Sequence, residues 1–196
     1  MSLIRIAVLA TGDELLNGSI SDTNTRDIAR LLAPAGYRLN TSLCVPDSPE
    51  QISQALRQLI PQQDVIIATG GLGSTGDDLT AKTVAQALGR PLEENPKALE
   101  MIRKRYQESG RELDPGVLRQ ALLPQKSVPL PNSEGSAPGF WLRQQGCDLF
   151  FLPGVPTEMR AMLTNAVIPA LKRNKPGAAP PVDTKLRFLW PDRTAN

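Results

Sequence analysis

Asp64-Val65-Ile66-Ile67-Ala68-Thr69-Gly70-Gly71-Leu72-Gly73-Ser74-Thr75-Gly76-Asp77-Asp78-Leu79-Thr80 is the stretch whose reading decides the fold. Asp64 to Thr69 is a largely apolar run of strand length, Gly70 to Gly76 is a glycine-rich turn, and Thr80 to Leu88 reads as a helix. Strand, glycine loop and helix in that order bring backbone N–H groups and the positive end of a helix dipole to one point, which suits a phosphate. Two adjacent carboxylates, Asp77 and Asp78, would repel that phosphate unless a cation lay between them. The loop therefore implies phosphate plus metal. Gly71 to Gly76 also has the GxGxxG spacing of dinucleotide-binding folds, but the acids follow at once rather than about 20 residues later. A plain turn with Asp caps is the other ordinary reading, although four glycines in seven residues exceed what a turn requires.

Outward from this stretch the chain alternates strands and helices. Leu3 to Ala10 is an apolar strand that breaks at the turn Thr11-Gly12-Asp13-Glu14. Asp22-Thr23-Asn24 opens a helix with Ile28, Leu31 and Leu32 on one face, closed by Pro34 and Gly36. Tyr37 to Val45 is the next strand. Ser48-Pro49-Glu50-Gln51 has capping-box form, and Ile52, Ala55, Leu56, Leu59 and Ile60 give the following helix its apolar stripe. This alternation predicts a largely parallel sheet covered on both faces. Beyond Pro91, Asn95 to Ser109 reads as a charged helix, Pro115 to Leu123 as a shorter one, and Lys126 to Pro131 as an extended piece. Gly139 to Arg143 and Cys147 to Leu152 flank a glycine turn and read as a hairpin. Pro153-Gly154-Val155-Pro156 ends that hairpin, and Thr157 to Leu171 is a last helix. One domain over residues 1–171 is expected, with 172–196 a Pro-rich tail or linker.

Composition narrows the chemistry. The 196 residues carry 22 basic and 20 acidic side chains, and only 4% are aromatic, so neither a cationic field nor a stacking surface argues for nucleic acid. The apolar stretches are about six to eight residues long, too short to span a bilayer, and a cytoplasmic protein without a membrane partner is expected. Cys44 and Cys147 fit reduced core thiols. The sequence contains no histidine, which removes the commonest general base, the commonest zinc ligand and every His-dependent triad. Oxygen ligands then point to magnesium or manganese. In an open α/β sheet the crevice lies at the carboxyl ends of the strands. Asp13, Glu14, Asp47, Asp77 and Asp78 all follow such ends and are candidate metal ligands or bases around one pocket.

Gly12-Asp13-Glu14-Leu15-Leu16-Asn17-Gly18 with Asp22-Thr23-Asn24, the Gly70 to Thr80 loop, Gly135-Ser136-Ala137-Pro138-Gly139-Phe140 and Leu152-Pro153-Gly154-Val155-Pro156-Thr157-Glu158-Met159 occur in order over roughly residues 3 to 171. Together they resemble the N-terminal domain of the competence/damage-inducible protein A (CinA) family, within the MoaB/Mog-like molybdopterin-binding group. The resemblance implies a three-layer α/β/α sandwich, a small-molecule nucleotide or pterin phosphate as ligand, and a homo-oligomer. It implies metal-dependent hydrolysis of ADP-ribose to AMP and ribose 5-phosphate, with magnesium or manganese held at Asp77 and Asp78 and with Asp78, Asp47 and Asp13 in catalysis. Substrate contacts are implied at Gly12, Glu14, Gly70, Gly71, Leu72, Gly73, Ser74 and Thr75, and at Gly135, Pro138, Gly139, Pro153, Gly154 and Pro156. Binding or adenylylation of molybdopterin, or a non-catalytic nucleotide-binding module, are the alternatives. The chain departs from the family loop at Ser74, where Pro is common. Longer members carry a second domain that deamidates nicotinamide mononucleotide, and that activity is expected to be absent here.

Overall fold

Alternate side chains of the first strand, β1 (Ile6–Thr11), enter two different cores, and that division organises the molecule. A computed structural model of the chain describes residues 4–72, 80–110 and 112–176. In chain order the remaining elements are α1 (Asp13–Leu16), α2 (Thr23–Leu32), β2 (Leu39–Val45), α3 (Pro49–Leu59), β3 (Val65–Thr69), α4 (Thr80–Ala87), β4 (Leu92–Glu94) and α5 (Pro96–Ser109). They continue with α6 (Pro115–Leu118), β5 (Leu122–Pro124), β6 (Val128–Leu130), β7 (Gly139–Gln144), β8 (Cys147–Leu152), α7 (Pro156–Met162) and α8 (Ile168–Asn174). The main sheet has the order β2-β1-β3-β8-β7-β6, and β4 and β5 form a separate antiparallel pair. Strands β2, β1, β3 and β8 run parallel, while β7 returns antiparallel against both β8 and β6.

The parallel strands lie between two helical layers, so their residues are apolar on both faces. Ala7, Leu9, Ile66, Ala68, Leu149 and Phe151 join Leu56 of α3, Val84 of α4 and Ile102 of α5 in one core. Ile6, Val8, Val65, Ile67, Phe150 and Leu152 join Ile28 and Leu32 of α2 and Met159 and Met162 of α7 in the other. This is the expected three-layer sandwich on a mostly parallel sheet. Phe140 stacks on its cross-strand partner Phe151 with ring centroids 4.5 Å apart.

Local sequence accounts for the ends of these elements. The Asp22 side chain caps α2 by accepting from the Thr25 N–H at 2.9 Å, and Asn95 caps α5 through the N–H groups of Lys97 and Ala98. Ser48 caps α3, yet the reciprocal half of the expected box is replaced by a hydrogen bond from the Ser48 hydroxyl to Glu50 at 2.8 Å. Gln145 and Gly146 both have positive φ, the two-residue turn geometry that matches the twist of β7 and β8.

Three boundaries differ from expectation. Thr11 to Glu14 is not a free turn, because Asp13 and Glu14 begin α1 and their acidity favours a helix start. Leu122 and Leu123 leave the helical segment to pair with Glu94 and Glu93 in the small sheet. The last helical segment starts at Pro156, passes through a π-type turn over Leu163–Val167 and continues to Asn174, so Pro156 is the first helical residue rather than part of the preceding loop. Arg103 and Lys104 lie on the exposed face of α5. Among the described residues no helix is long and apolar enough to cross a membrane.

Candidate functional site

The chain leaves β1 to form β2 on one side and then crosses back over β1 to form β3 on the other, which makes the carboxyl ends of β1 and β3 a topological switch point. Ligand crevices in open α/β sheets form at such points. The register puts Thr11 opposite Val45, Ala10 opposite Thr69, and Thr69 opposite Leu152, so the segments after β1, β2, β3 and β8 emerge side by side. Gly12 donates from its N–H to the Val45 carbonyl at 3.1 Å, and Gly70 donates to the Leu152 carbonyl at 3.2 Å. The candidate residues Gly12, Asp13, Glu14, Asp47, Gly70, Gly71 and Gly154 are thereby gathered at one edge.

Gly70 shows why glycine is required there. Its φ is +116°, and a Cβ would stand 2.6 Å from the Thr11 carbonyl oxygen. At Gly71, φ is +63° and a Cβ would run into the Thr80 side chain, whose hydroxyl donates to the Gly70 carbonyl at 3.3 Å. The strand exit is thus packed against both β1 and the start of α4. Leu72 turns its side chain into the core shared by Leu56 and Val84, so any ligand contact from it comes from the backbone. Gly73, Ser74, Thr75, Asp77 and Asp78 lie outside the described residues.

The field at this edge is negative. Partial burial of the Asp47 carboxylate, and next the charge of Glu14, push it above the usual carboxylate range, with a smaller push from Asp13. Hydrogen bonds from the Thr11 hydroxyl and the Asp13 backbone oppose that shift. Burial pushes the neighbouring Cys44 thiol upward too, helped by Asp22, Glu14 and Asp47. Among the described residues no three acidic or cysteine side chains form a ready metal cluster. A cavity of about 150 Å³ opens here, walled by Thr11, Thr69, Glu14, Leu15, Ile20, Asn24 and Gly154 among others. A larger hollow, about 470 Å³, lies over α5 beside Arg103 and Lys104 and contains none of the candidate residues.

Other expected contacts sit differently. Pro153 and Pro138 are buried, and Pro156 lines the cavity from the first turn of α7. Gly139 is pressed between Met162 and the Phe151 carbonyl, so its small size serves packing. Gly135 lies against the Glu158 carboxylate, which accepts from Asn132 Nδ2 at 2.7 Å, while Asn132 Oδ1 accepts the Gly135 N–H at 3.0 Å. This loop leads into the start of β7, which lies beside the end of β8, and lines no part of the cavity. Asn24, which the sequence offers as part of a helix opening and of the block that carries the resemblance but not as a site residue, holds the Gly154 carbonyl through Nδ2 at 2.8 Å. Its place in the Asp22-Thr23-Asn24 block was the available signal.

The family model described as a probable molybdopterin binding domain matches residues 7–173. The chain belongs to that family. Within it, the chain is 51% identical over 177 residues to a CinA-like protein of Syntrophotalea carbinolica, covering 90% of this chain and 43% of the relative. A CinA-like protein of Geobacter sulfurreducens is 46% identical over 174 residues, covering 89% and 42%. The chain therefore spans about two fifths of the length of these curated relatives. The crystal structure of the protein CinA, of unknown function, from Thermoplasma acidophilum aligns with a TM-score of 0.77 and 33% identity, covering 87% of this chain and 97% of that one. The molybdopterin biosynthesis enzyme MoaB of Thermus thermophilus aligns with a TM-score of 0.60 at 24% identity over 87% and 93% of the two chains, which is a likeness of fold. The sandwich described above is thus that of the molybdopterin-binding domain of the CinA-like family.

Proposed function

We propose that this domain is a metal-dependent nucleotide pyrophosphatase that cleaves ADP-ribose with water to AMP and ribose 5-phosphate. The observation that carries the reading is the convergence of Asp13, Glu14 and Asp47 beside the glycine-backed exit of β3, with Asp47 held above its ordinary range by burial and its acidic neighbours. Such repulsion is of the kind a divalent cation relieves, and an all-oxygen donor set without histidine fits magnesium or manganese. Asp77 and Asp78 complete that set in this reading, joined by Asp47. The bound ion would neutralise pyrophosphate charge and lower the pKa of a coordinated water. Backbone N–H groups from Gly71 to Thr75 hold the non-reacting phosphate, and Asp13 or Asp47 orients the attacking water or a ribose hydroxyl.

The test is AMP release from ADP-ribose, followed by chromatography with and without magnesium or manganese, beside Asp78→Asn. Metal-dependent AMP that disappears in the variant is the expected result. No AMP from a folded sample, or full turnover by Asp78→Asn, overturns the scheme. The family description favours a second reading, in which the same edge binds a pterin phosphate for molybdenum cofactor chemistry. Tight molybdopterin binding without ADP-ribose cleavage would select it.

A further inference from the structure

The two edges of the main sheet are defended unequally. At one edge β6 is three residues long and contains Pro129, and both features discourage pairing with a further strand. The other edge is β2, Leu39-Asn40-Thr41-Ser42-Leu43-Cys44-Val45, with no proline and no charged side chain. A register shift against β1 skips Asn40, so Thr41 to Val45 is the regular part of the strand, and Ser42 within it is exposed. Sheets commonly blunt so long an edge with lysine or proline, and neither is present here.

One hydrogen bond gives the direction of the backbone groups. The Val45 carbonyl accepts from Gly12 on the β1 side, so Thr41, Leu43 and Val45 turn their N–H and C=O groups toward β1. Ser42 and Cys44 turn theirs outward, and among the described residues no strand answers them. This arrangement is self-complementary. A two-fold axis at Leu43 lays the strand antiparallel to its copy, with Ser42 of each copy opposite Cys44 of the other, and each such pair exchanges both N–H···O bonds. The ends match as well. Arg38, exposed just before β2 and in no ion pair among the described residues, is brought to the end of the other copy where Asp47 and Glu14 lie. A strand of an unrelated protein would meet the same backbone groups without the matched charge at both ends. We infer that β2 is the interface between two copies of this chain, joined edge to edge through Ser42 and Cys44 into one continuous sheet.

Sedimentation equilibrium of the whole chain under reducing conditions tests this. A dimer is expected. Ser42→Pro removes the outward donor from each copy and leaves the ladder to β1 intact, so it should weaken the dimer roughly hundredfold or more. Arg38→Glu should weaken it roughly tenfold at low salt, with the effect fading as salt rises. Ser42→Cys reads the register. Opposite Cα atoms in a hydrogen-bonded antiparallel pair stand about 5.5 Å apart, which suits a disulfide, so oxidation should join position 42 of one copy to Cys44 of the other. Adding Cys44→Ser to that variant should abolish the cross-link. A monomeric parent chain overturns the interface and leaves the edge to a strand of another protein. A dimer that neither weakens in Ser42→Pro nor cross-links in Ser42→Cys also overturns it, because the contact then lies on another face. Should Ser42→Pro fail to fold by circular dichroism, the presence or absence of the Ser42→Cys cross-link decides alone.

Discussion

The side-chain amide of Asn24 donates to the Gly154 carbonyl at 2.8 Å across 130 residues of sequence, tying the first turn of α2 to the loop that leaves β8. Both residues wall the cavity, so this bond fixes the distance between two of its sides. Asn24→Ala removes the donor and should cost about 1 kcal/mol. Asn24→Asp sets a negative oxygen against a carbonyl, among Glu14, Asp22 and Asp47, and should cost more than the alanine change. Urea midpoints at pH 7 check the order. Asp less damaging than Ala would mean that the amide does not hold the loop.

Two glycines with positive φ separate conformation from crowding. Gly89 has φ +63° and nothing within 4 Å of a Cβ, so Gly89→Ala should lose about 1–2 kcal/mol for the left-handed backbone alone. Gly70→Ala adds a clash with the Thr11 carbonyl, a backbone atom that cannot move without disturbing the end of β1. Its thermal midpoint should fall further than that of Gly89→Ala. An equal fall would show that the β3 exit relaxes freely and that close packing there is not what demands glycine.

Ile66 and Ile67 show how much of this was legible beforehand. Their neighbours are apolar on both sides, which identified a strand covered twice, and the structure places the two side chains in opposite cores. Strand ends followed by Gly12-Asp13-Glu14, Asp47 and Gly70-Gly71 likewise marked segments that the structure brings to one sheet edge. Leu122 and Leu123 could not be read in the same way, because three residues pairing with Leu92 to Glu94 leave too little pattern to distinguish from a helix end. Asn24 was missed for another reason. Its partner is a backbone carbonyl far along the chain, and no local spacing encodes such a contact.

Carboxylates in this domain should respond to pH with opposite signs. Hydrogen bonding to Arg160 holds Asp27 below the usual range, and hydrogen bonding to Arg5 does the same for Asp64. Each contributes stability that is present above the ordinary Asp pKa of about 3.9 and is lost as pH falls through the depressed folded value. Asp47 is raised, so its ionisation opposes folding at neutral pH and that opposition fades as pH falls through its folded pKa. Asp47→Asn should therefore be more stable than the parent at pH 7 and lose that advantage near pH 4, whereas Asp27→Asn should be less stable at pH 7 and converge with the parent in acid. Denaturation between pH 3 and 8 checks both. A neutral-pH gain from removing a candidate catalytic acid would fit a site that trades stability for chemistry.

Asp148 supplies the sharpest test of charge inside the fold. Its side chain is 1% exposed at the start of β8, with Lys175 Nζ 3.5 Å and Arg143 Nε 3.7 Å from its oxygens. Lys175 follows α8, where the Tyr37 hydroxyl donates to its carbonyl at 2.9 Å, so the cation is delivered by a segment that is itself anchored. Lys175→Met leaves a buried carboxylate whose remaining ion-pair partner among the described residues is the more exposed Arg143, and about 2 kcal/mol or more should be lost. The exposed pair Lys104 and Glu108, 4.0 Å apart on α5, sets the comparison, and Lys104→Met should cost under about 0.5 kcal/mol. Combining Lys175→Met with Asp148→Leu removes the stranded charge and should recover much of the loss, because a buried ion pair often yields to apolar groups at little net cost. Urea unfolding of Lys175→Met, Asp148→Leu and the double variant reads the coupling directly. A double variant no better than Lys175→Met would mean that Lys175 stabilises the fold by packing its stem, with the charge contributing nothing.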